Sequence, residues 1–144
     1  MTDKPYRVLV TGSRDWDDVD RLRHQLTRVW LTVDRPFIVV HGACPTGADA
    51  IASDWVANML EAEMGDVREE PHEAEWRVNG RTDYSAGPRR NQHMVSLGAD
   101  LCLAFIGPCS GPRCHTPRPH PSHGASHCAR LAEQAGIPTR RITN

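Results

Sequence analysis

The strongest constraint on the fold is a series of short, largely apolar segments that alternate with segments of helical periodicity. The runs "YRVLVTG", "FIVVHG" and "DLCLAFI" lack a sustained apolar–polar alternation, which is typical of strands buried on both faces of a parallel sheet. After the first run, Leu22, Leu26 and Val29 recur at helical spacing. The pattern predicts an α/β fold, a Rossmann-like three-layer domain with a parallel sheet of about five strands flanked by helices.

Length and composition limit the number of domains and the cellular compartment that we expect for the chain. A chain of 144 residues can bury one core, so we expect a single domain over residues 1–144. No segment reaches the roughly 20 apolar residues of a membrane span, and the beginning lacks the apolar stretch of a secretory signal. Five cysteines, an odd number, argue against a secreted disulfide framework. We therefore expect a cytoplasmic protein with reduced thiols and no membrane partner.

An excursion rich in proline, cysteine and histidine interrupts the regular pattern at residues 107–121. This stretch and the helix after it hold side chains that suit zinc: Cys109, Cys114, His115, His120, His123, His127 and Cys128. Cys109, Cys114, His115 and His120 are the zinc candidates, although their spacing matches no paired Cys-x-x-Cys pattern. A structural zinc site and a metal-free loop stiffened by proline both remain open, and no other cofactor is expected.

The residue types that follow the first predicted strand suit an anion. Ligands of parallel α/β sheets bind beyond the carboxyl ends of the strands. Gly12 and Ser13 come directly after the first strand, where glycine permits close backbone approach and serine offers a hydroxyl group. Arg14 can hold a phosphate through two hydrogen bonds. The alternative is an ordinary tight turn in which Arg14 pairs with a neighbouring aspartate.

A second candidate loop, "HGACPTGADAIA", follows the second strand. Gly42 and Gly47 bracket this loop, which enters a helix whose free amides and dipole favour a phosphate. Asp49 either satisfies the helix dipole or accepts a hydrogen bond from a ribose hydroxyl or a loop amide. His41 is either a general acid or base or a hydrogen-bonded core residue.

The segment "AGPRRNQHM" begins a third helix with two arginines. Arg90 and Asn91 are the preferred pair for gripping a phosphate, and a solvated helix face is the alternative. Trp76, in the preceding loop, is either a core residue or a surface on which a base stacks.

Taken in order, five motifs carry a family resemblance: "GSRDW", "HGACPTGADAIASDW", "PHEAEW", "GPRRNQHM" and "SHGASHCARLAEQAGIP". Over nearly the whole length the chain resembles the YspA-type, cpYpsA-related branch of the SLOG superfamily. This Rossmann-like group includes the Lonely Guy phosphoribohydrolases and the DNA-processing protein DprA. The resemblance implies a nucleotide-type ligand, with Ser122, Gly124 and Ser126 lining its phosphate end together with the glycine-rich turns. Relatives of the fold often pair, so it also implies a homodimer.

The resemblance bears on catalysis in two segments. In Lonely Guy enzymes an Arg-Lys-x-x-Met segment and a Gly-Gly-x-Gly-Thr-x-x-Glu loop supply the arginine and glutamate that cleave the N-glycosidic bond. "RNQHM" resembles the first, which implies Arg90 as the catalytic arginine. "HGASHC" resembles the second, but Cys128 stands where the glutamate is expected, so the carboxylate that such chemistry uses is missing from this loop.

Two classes of function follow from these observations. The leading hypothesis is a ligand-binding or sensor domain for a nucleotide derivative, and the rival is an N-glycoside hydrolase that takes an acidic residue from another loop. A DprA-like nucleic-acid binder is a third class, but a net charge of -1 gives no basic footprint for one. The expected partner is therefore a small nucleotide-type molecule.

Overall fold

The computed structural model describes residues 4–144. Strands and helices alternate along this part of the chain. The elements are β1 (Tyr6–Gly12), α1 (Val19–Leu31), β2 (Phe37–His41), α2 (Gly47–Glu61), β3 (Val67–Pro71), β4 (Arg77–Val78), β5 (Arg81–Thr82), α3 (Ala86–Ser96), β6 (Leu101–Ile106), α4 (His123–Gln134) and β7 (Thr139–Thr143).

Five of the strands form one parallel sheet in the order β3-β2-β1-β6-β7. The central strand β1 pairs with β2 on one edge and with β6 on the other. Helices α1 and α2 cover one face of the sheet, and α3 and α4 cover the other. This arrangement confirms the predicted α/β three-layer architecture with its five-stranded parallel sheet.

Each face of the sheet has its own apolar core. On the α1–α2 face, Leu22 and Trp55 pack with Phe37 of β2. On the opposite face, Met94 of α3 and Cys128 of α4 pack in the same cluster. The continuous apolar character of the strands follows from this double coverage, because every side chain of β6 is buried whichever face it points to.

Two local features differ from the sequence-based prediction. Proline favours the first position of a helix, which predicts a beginning at Pro88, but α3 begins two residues earlier, at Ala86. Pro88 therefore lies in the first turn, where the helix needs no amide hydrogen. Residues predicted as an irregular loop include a small antiparallel hairpin of β4 and β5. Among the helices of residues 4–144, none combines the length and apolar character that crossing a membrane requires.

The excursion leaves the sheet at the carboxyl end of β6 and returns to begin α4. A short ladder closes its base: the Cys109 amide donates to the His120 carbonyl (2.7 Å), and the Ser122 amide donates to the Gly107 carbonyl (2.9 Å). Pro108 and Pro121 form a β-bridge beside these bonds. Both ends of the excursion are therefore held at the carboxyl ends of the strands, where ligands of such folds bind.

Candidate functional site

The order of the strands places a crevice between β1 and β6. From β1 the chain moves outward through β2 and β3 on one side, and it then returns to build β6 and β7 on the other. Such a reversal is where open α/β sheets bind ligands, at the carboxyl ends of the strands. Here the hydroxyl group of Ser13 accepts a hydrogen bond from the amide of Gly107 (2.8 Å). This bond joins the loops after β1 and β6 across the crevice.

The loop after β1 packs directly over the beginning of α2. The Ser13 carbonyl accepts a hydrogen bond from the amide of Ala48 (3.2 Å). A Cβ on Gly47, whose φ is +71°, would lie 2.2 Å from the same carbonyl, and a Cβ on Gly12 would lie 2.3 Å from the Cβ of Ala48. Both glycines therefore permit close packing of loop and helix. The first turn of α2 is covered by protein at this point.

Arg14 and Trp76 connect that loop with α3. The guanidinium of Arg14 lies 5.0 Å from the centre of the Trp76 ring, within the range of a cation–π contact. On α3, a Cβ added to Gly87 would lie 2.7 Å from the same ring. The half-buried Trp76 thus packs between the loop after β1 and helix α3, at the rim of the crevice. The sequence did not indicate that Gly87 makes room for this ring.

His41 is a hydrogen-bonded histidine at the end of β2, and it is only 2% exposed. Its Nδ1 accepts from the amide of Ala43 (2.9 Å), so Nε2 carries the proton and donates to Glu69 (2.6 Å). Burial raises the pKa of Glu69, but hydrogen bonds from Ser53 and His41 outweigh it and leave that pKa below its ordinary value. With both ring nitrogens engaged, the arrangement favours the structural alternative for His41.

Asp49 lies buried beside this histidine, in the first turn of α2. Its Oδ2 accepts from the amide of Cys44 (3.2 Å), which is one of the alternatives that the sequence left open. Burial raises the pKa of Asp49, and the Cys44 amide, His41 and Arg90 offset only part of this effect. Asp49 borders a concavity of about 290 Å³ together with His41, Cys44 and Glu69.

Arg90 holds the loops after β2 and β3 against α3. Its Nη1 donates to the carbonyls of Gly42 (2.5 Å) and His72 (3.3 Å), and its Nε donates to the side chain of Asn91 (2.9 Å). A Cβ on Gly42 would lie 2.6 Å from that Nη1, so a larger residue here would displace the guanidinium. Asn91 is 5% exposed, and its amide nitrogen lies 3.4 Å from Nδ1 of His127 on α4. The pair therefore lies inside the site rather than on a solvated face.

The beginning of α4 differs from that of α2. Ser122 is the N-cap residue of α4, but its side chain makes no capping hydrogen bond within residues 4–144. The first turn of α4 also contains no acidic residue. The hydroxyl of Ser126 is buried and has no hydrogen-bond partner within the described part of the chain. Apart from the neighbouring residues and backbone of its own helix, no described atom lies within 4 Å of the position that a Cβ on Gly124 would take. This end has the properties of an anion site, because free amides and the helix dipole favour negative charge.

The excursion beside α4 brings four zinc-type side chains together. Atoms of Cys109, Cys114, His120 and His123 that can bind a metal lie within 4.8 Å of one another. Three of the four are sequence-predicted candidates. The fourth, His123, occupies the place that the prediction gave to His115, which is exposed and outside the cluster.

Comparison with known proteins connects this geometry to a family. A family model described as "YspA, cpYpsA-related SLOG family" matches residues 6–78, from β1 through β4. The chain belongs to this SLOG family. Gene 61 protein of Mycobacterium phage D29 is 39% identical over 133 residues, which cover 92% of each chain. No solved structure matches the chain. The family resemblance predicted from the motifs is thus confirmed.

Within this SLOG fold, Cys128 stands where the resemblance to Lonely Guy enzymes places a glutamate. Its side chain is fully buried at 0% exposure, and burial raises the pKa of the thiol to about 11. A neutral thiol does not supply the negative charge that stabilises an oxocarbenium-like transition state. Glu73 and Glu75, the acidic residues of the loop between β3 and β4, are exposed.

Proposed function

We propose that this SLOG protein binds a nucleotide-derived molecule by its phosphate at the beginning of α4, as a ligand-binding or sensor domain. The observation that carries the proposal is the buried Ser126 hydroxyl, which lacks a partner among residues 4–144. Burying such a group unpaired costs about 1–3 kcal/mol. A phosphate oxygen would accept the missing hydrogen bond at the end of the helix where the free amides and the dipole attract an anion.

The rest of the ligand has a path from that point. The amide of Ser122 donates to the carbonyl of Gly107 (2.9 Å), and the amide of Gly107 donates to Ser13. The phosphate position therefore adjoins the crevice between β1 and β6. A sugar and base would extend along this crevice, the usual binding region in sheets of this type. Gly124 leaves the approach to the helix open.

Two observations favour binding over turnover. The thiol of Cys128 is neutral because burial raises its pKa to about 11, and Arg90 already donates to two backbone carbonyls. An N-glycoside hydrolase is the second candidate, supported by Asp49, whose pKa is raised by burial and therefore suits a general acid.

A nucleic-acid interface has less support. Arg89 pairs with Asp83 at 2.6 Å, which neutralises a charge that a phosphate-binding stripe would need. The small-molecule ligand therefore remains the proposed partner.

Thermal unfolding with added ligands tests the proposal. Inorganic phosphate, nucleoside monophosphates, ADP-ribose and NAD would be added to the wild type, to Ser126→Ala and to Ser96→Ala, an exposed helix serine that serves as control. We expect at least one phosphate-bearing ligand to stabilise the wild type and the control, by about 2.7 kcal/mol at 100 times its Kd. Ser126→Ala should lose most of this stabilisation.

The products decide between the two candidates. Each stabilising ligand would be incubated with the protein and separated by chromatography. Recovery of intact ligand supports the sensor, whereas release of free base that stops in Asp49→Asn establishes the hydrolase. If no phosphate-bearing ligand stabilises the wild type, the phosphate site is wrong.

A further inference from the structure

The excursion between β6 and α4 directs four side chains toward one point. Two imidazoles meet there, with Nε2 of His120 and Nε2 of His123 separated by 3.2 Å. Sγ of Cys114 lies 3.4 Å from the first nitrogen and 3.2 Å from the second. Cys109 completes the group, since all four atoms lie within 4.8 Å of one another.

These separations resemble those around a tetrahedral zinc ion. Zn–N bonds of about 2.0–2.1 Å and Zn–S bonds of about 2.3 Å place two nitrogens about 3.3 Å apart, and nitrogen and sulfur about 3.5 Å apart. The measured distances among Cys114, His120 and His123 are close to both values. Two cysteines and two histidines are also a common ligand set of structural zinc.

The tautomer of His120 is the one that metal binding requires. Its Nδ1 lies 2.9 Å from the carbonyl oxygen of Pro117. A carbonyl only accepts, so Nδ1 carries the hydrogen atom and the neutral ring has its lone pair on Nε2. This is the nitrogen that faces Cys114 and His123. A histidine oriented by a backbone carbonyl in this way is typical of zinc ligands.

Within the described part of the chain, a few polar contacts and one cation–π contact, that of Arg113 with Tyr84, hold the excursion, and it has no apolar core of its own. Its backbone is closed at the base by the bond from the Cys109 amide to the His120 carbonyl, and a turn joins the Cys114 amide to the Gly111 carbonyl (3.1 Å). Of residues 108–121, Cys109 is the only one that is buried, and most of the others are exposed. A loop without an apolar core gains a fixed conformation when a metal ion cross-links it.

We propose that Cys109, Cys114, His120 and His123 bind one structural zinc ion. Cys109 lies just after β6, and His123 is the first residue of α4. The ion would therefore fix the end of a core strand to the beginning of the helix at the rim of the crevice. The four metal-binding side chains are not groups that the phosphate proposal uses, although His123 also lies in the first turn of α4.

Metal analysis of the purified full chain tests the site. Protein expressed without added zinc and purified with a reductant would be analysed for metals, and the apoprotein would then be titrated with cobalt(II). We expect about one zinc per chain and the intense visible absorption of a tetrahedral cobalt–thiolate site. Cys114→Ser and His120→Gln should lose both signals, whereas His115→Gln, an exposed histidine of the same loop, should keep them.

Several results would overturn the zinc site. These are a zinc content far below one that added metal does not raise, a cobalt spectrum without thiolate character, and equal metal binding by Cys114→Ser and the wild type. A Cys109–Cys114 disulfide in the reductant-purified protein, seen as a mass lower by two hydrogens, would also do so. If the two ligand variants prove insoluble, the metal content and cobalt spectrum of the wild type still decide.

Discussion

Two serines at the crevice should respond in opposite ways to the same substitution. Ser13 is 2% exposed, and its hydroxyl accepts the hydrogen bond from the buried amide of Gly107, 94 positions along the chain. Ser13→Ala leaves that amide without an acceptor, which should lower the free energy of unfolding by about 1–3 kcal/mol. The corresponding loss of Tm is about 4 °C per kcal/mol for a chain of this size.

Ser126→Ala removes a hydroxyl group that is buried without a partner in residues 4–144. Its deletion relieves a desolvation cost, and alanine is the better helix former by a few tenths of a kcal/mol or more. We therefore expect the ligand-free variant to be unchanged or up to about 1 kcal/mol more stable than the wild type.

Urea unfolding followed by tryptophan fluorescence measures the change in unfolding free energy of both variants. The comparison requires that m, the dependence of this free energy on urea concentration, be the same in the variants and the wild type. A loss in Ser126→Ala as large as that in Ser13→Ala would show that the Ser126 hydroxyl has a partner in the free protein. The main support for a phosphate at α4 would then be gone. A neutral Ser13→Ala would instead show that the bond across the crevice contributes no stability.

Two further predictions concern the backbone of the site and the edge of the sheet. Gly47→Ala should cost more than about 2 kcal/mol, since it adds a clash 2.2 Å from the Ser13 carbonyl to the strain of φ +71°. Gly65→Ala is the matched control, because φ is +98° there but no described atom beyond its two chain neighbours lies within 4 Å of the new Cβ. Equal losses of stability in urea unfolding would contradict the packing of the loop on α2. Hydrogen bonding to Arg7 lowers the pKa of Glu70 from 4.5 to about 2, so this ion pair should stabilise the fold above pH 4.5 and lose that effect as the pH falls toward 2. Glu70→Gln should flatten the pH dependence of unfolding between pH 5 and pH 2 (about the two pKa values), and an unchanged slope would show that another group is responsible.

The fold could be predicted because its main signal is local. Strands buried on both faces must be apolar throughout, as in β6, and amphipathic helices separate them. The β4–β5 hairpin was missed because each strand has two residues, all of them exposed, and such a segment leaves no apolar pattern to detect.

The site could be predicted only to the level of which loops converge. The sequence correctly places Ser13 and Asp49 beyond the carboxyl ends of the strands. It does not show that their polar atoms already form hydrogen bonds with Gly107 and Cys44. The same limit explains the exchange of His115 for His123 in the metal cluster. Which histidine turns inward depends on the path of a proline-rich loop, and neither spacing nor composition specifies that path.

The position of β1 in the sheet has a consequence for how the protein is made. Its two neighbours are β2, which follows closely, and β6, which begins only at Leu101. During synthesis β1 to β3 can pair early, but the other edge of β1 stays bare until most of the chain has left the ribosome. An unpaired apolar edge is a template for aggregation, and pairing between distant segments is slow. A prematurely terminated chain that ends before β6 would therefore lack the crevice and leave one edge of β1 unpaired.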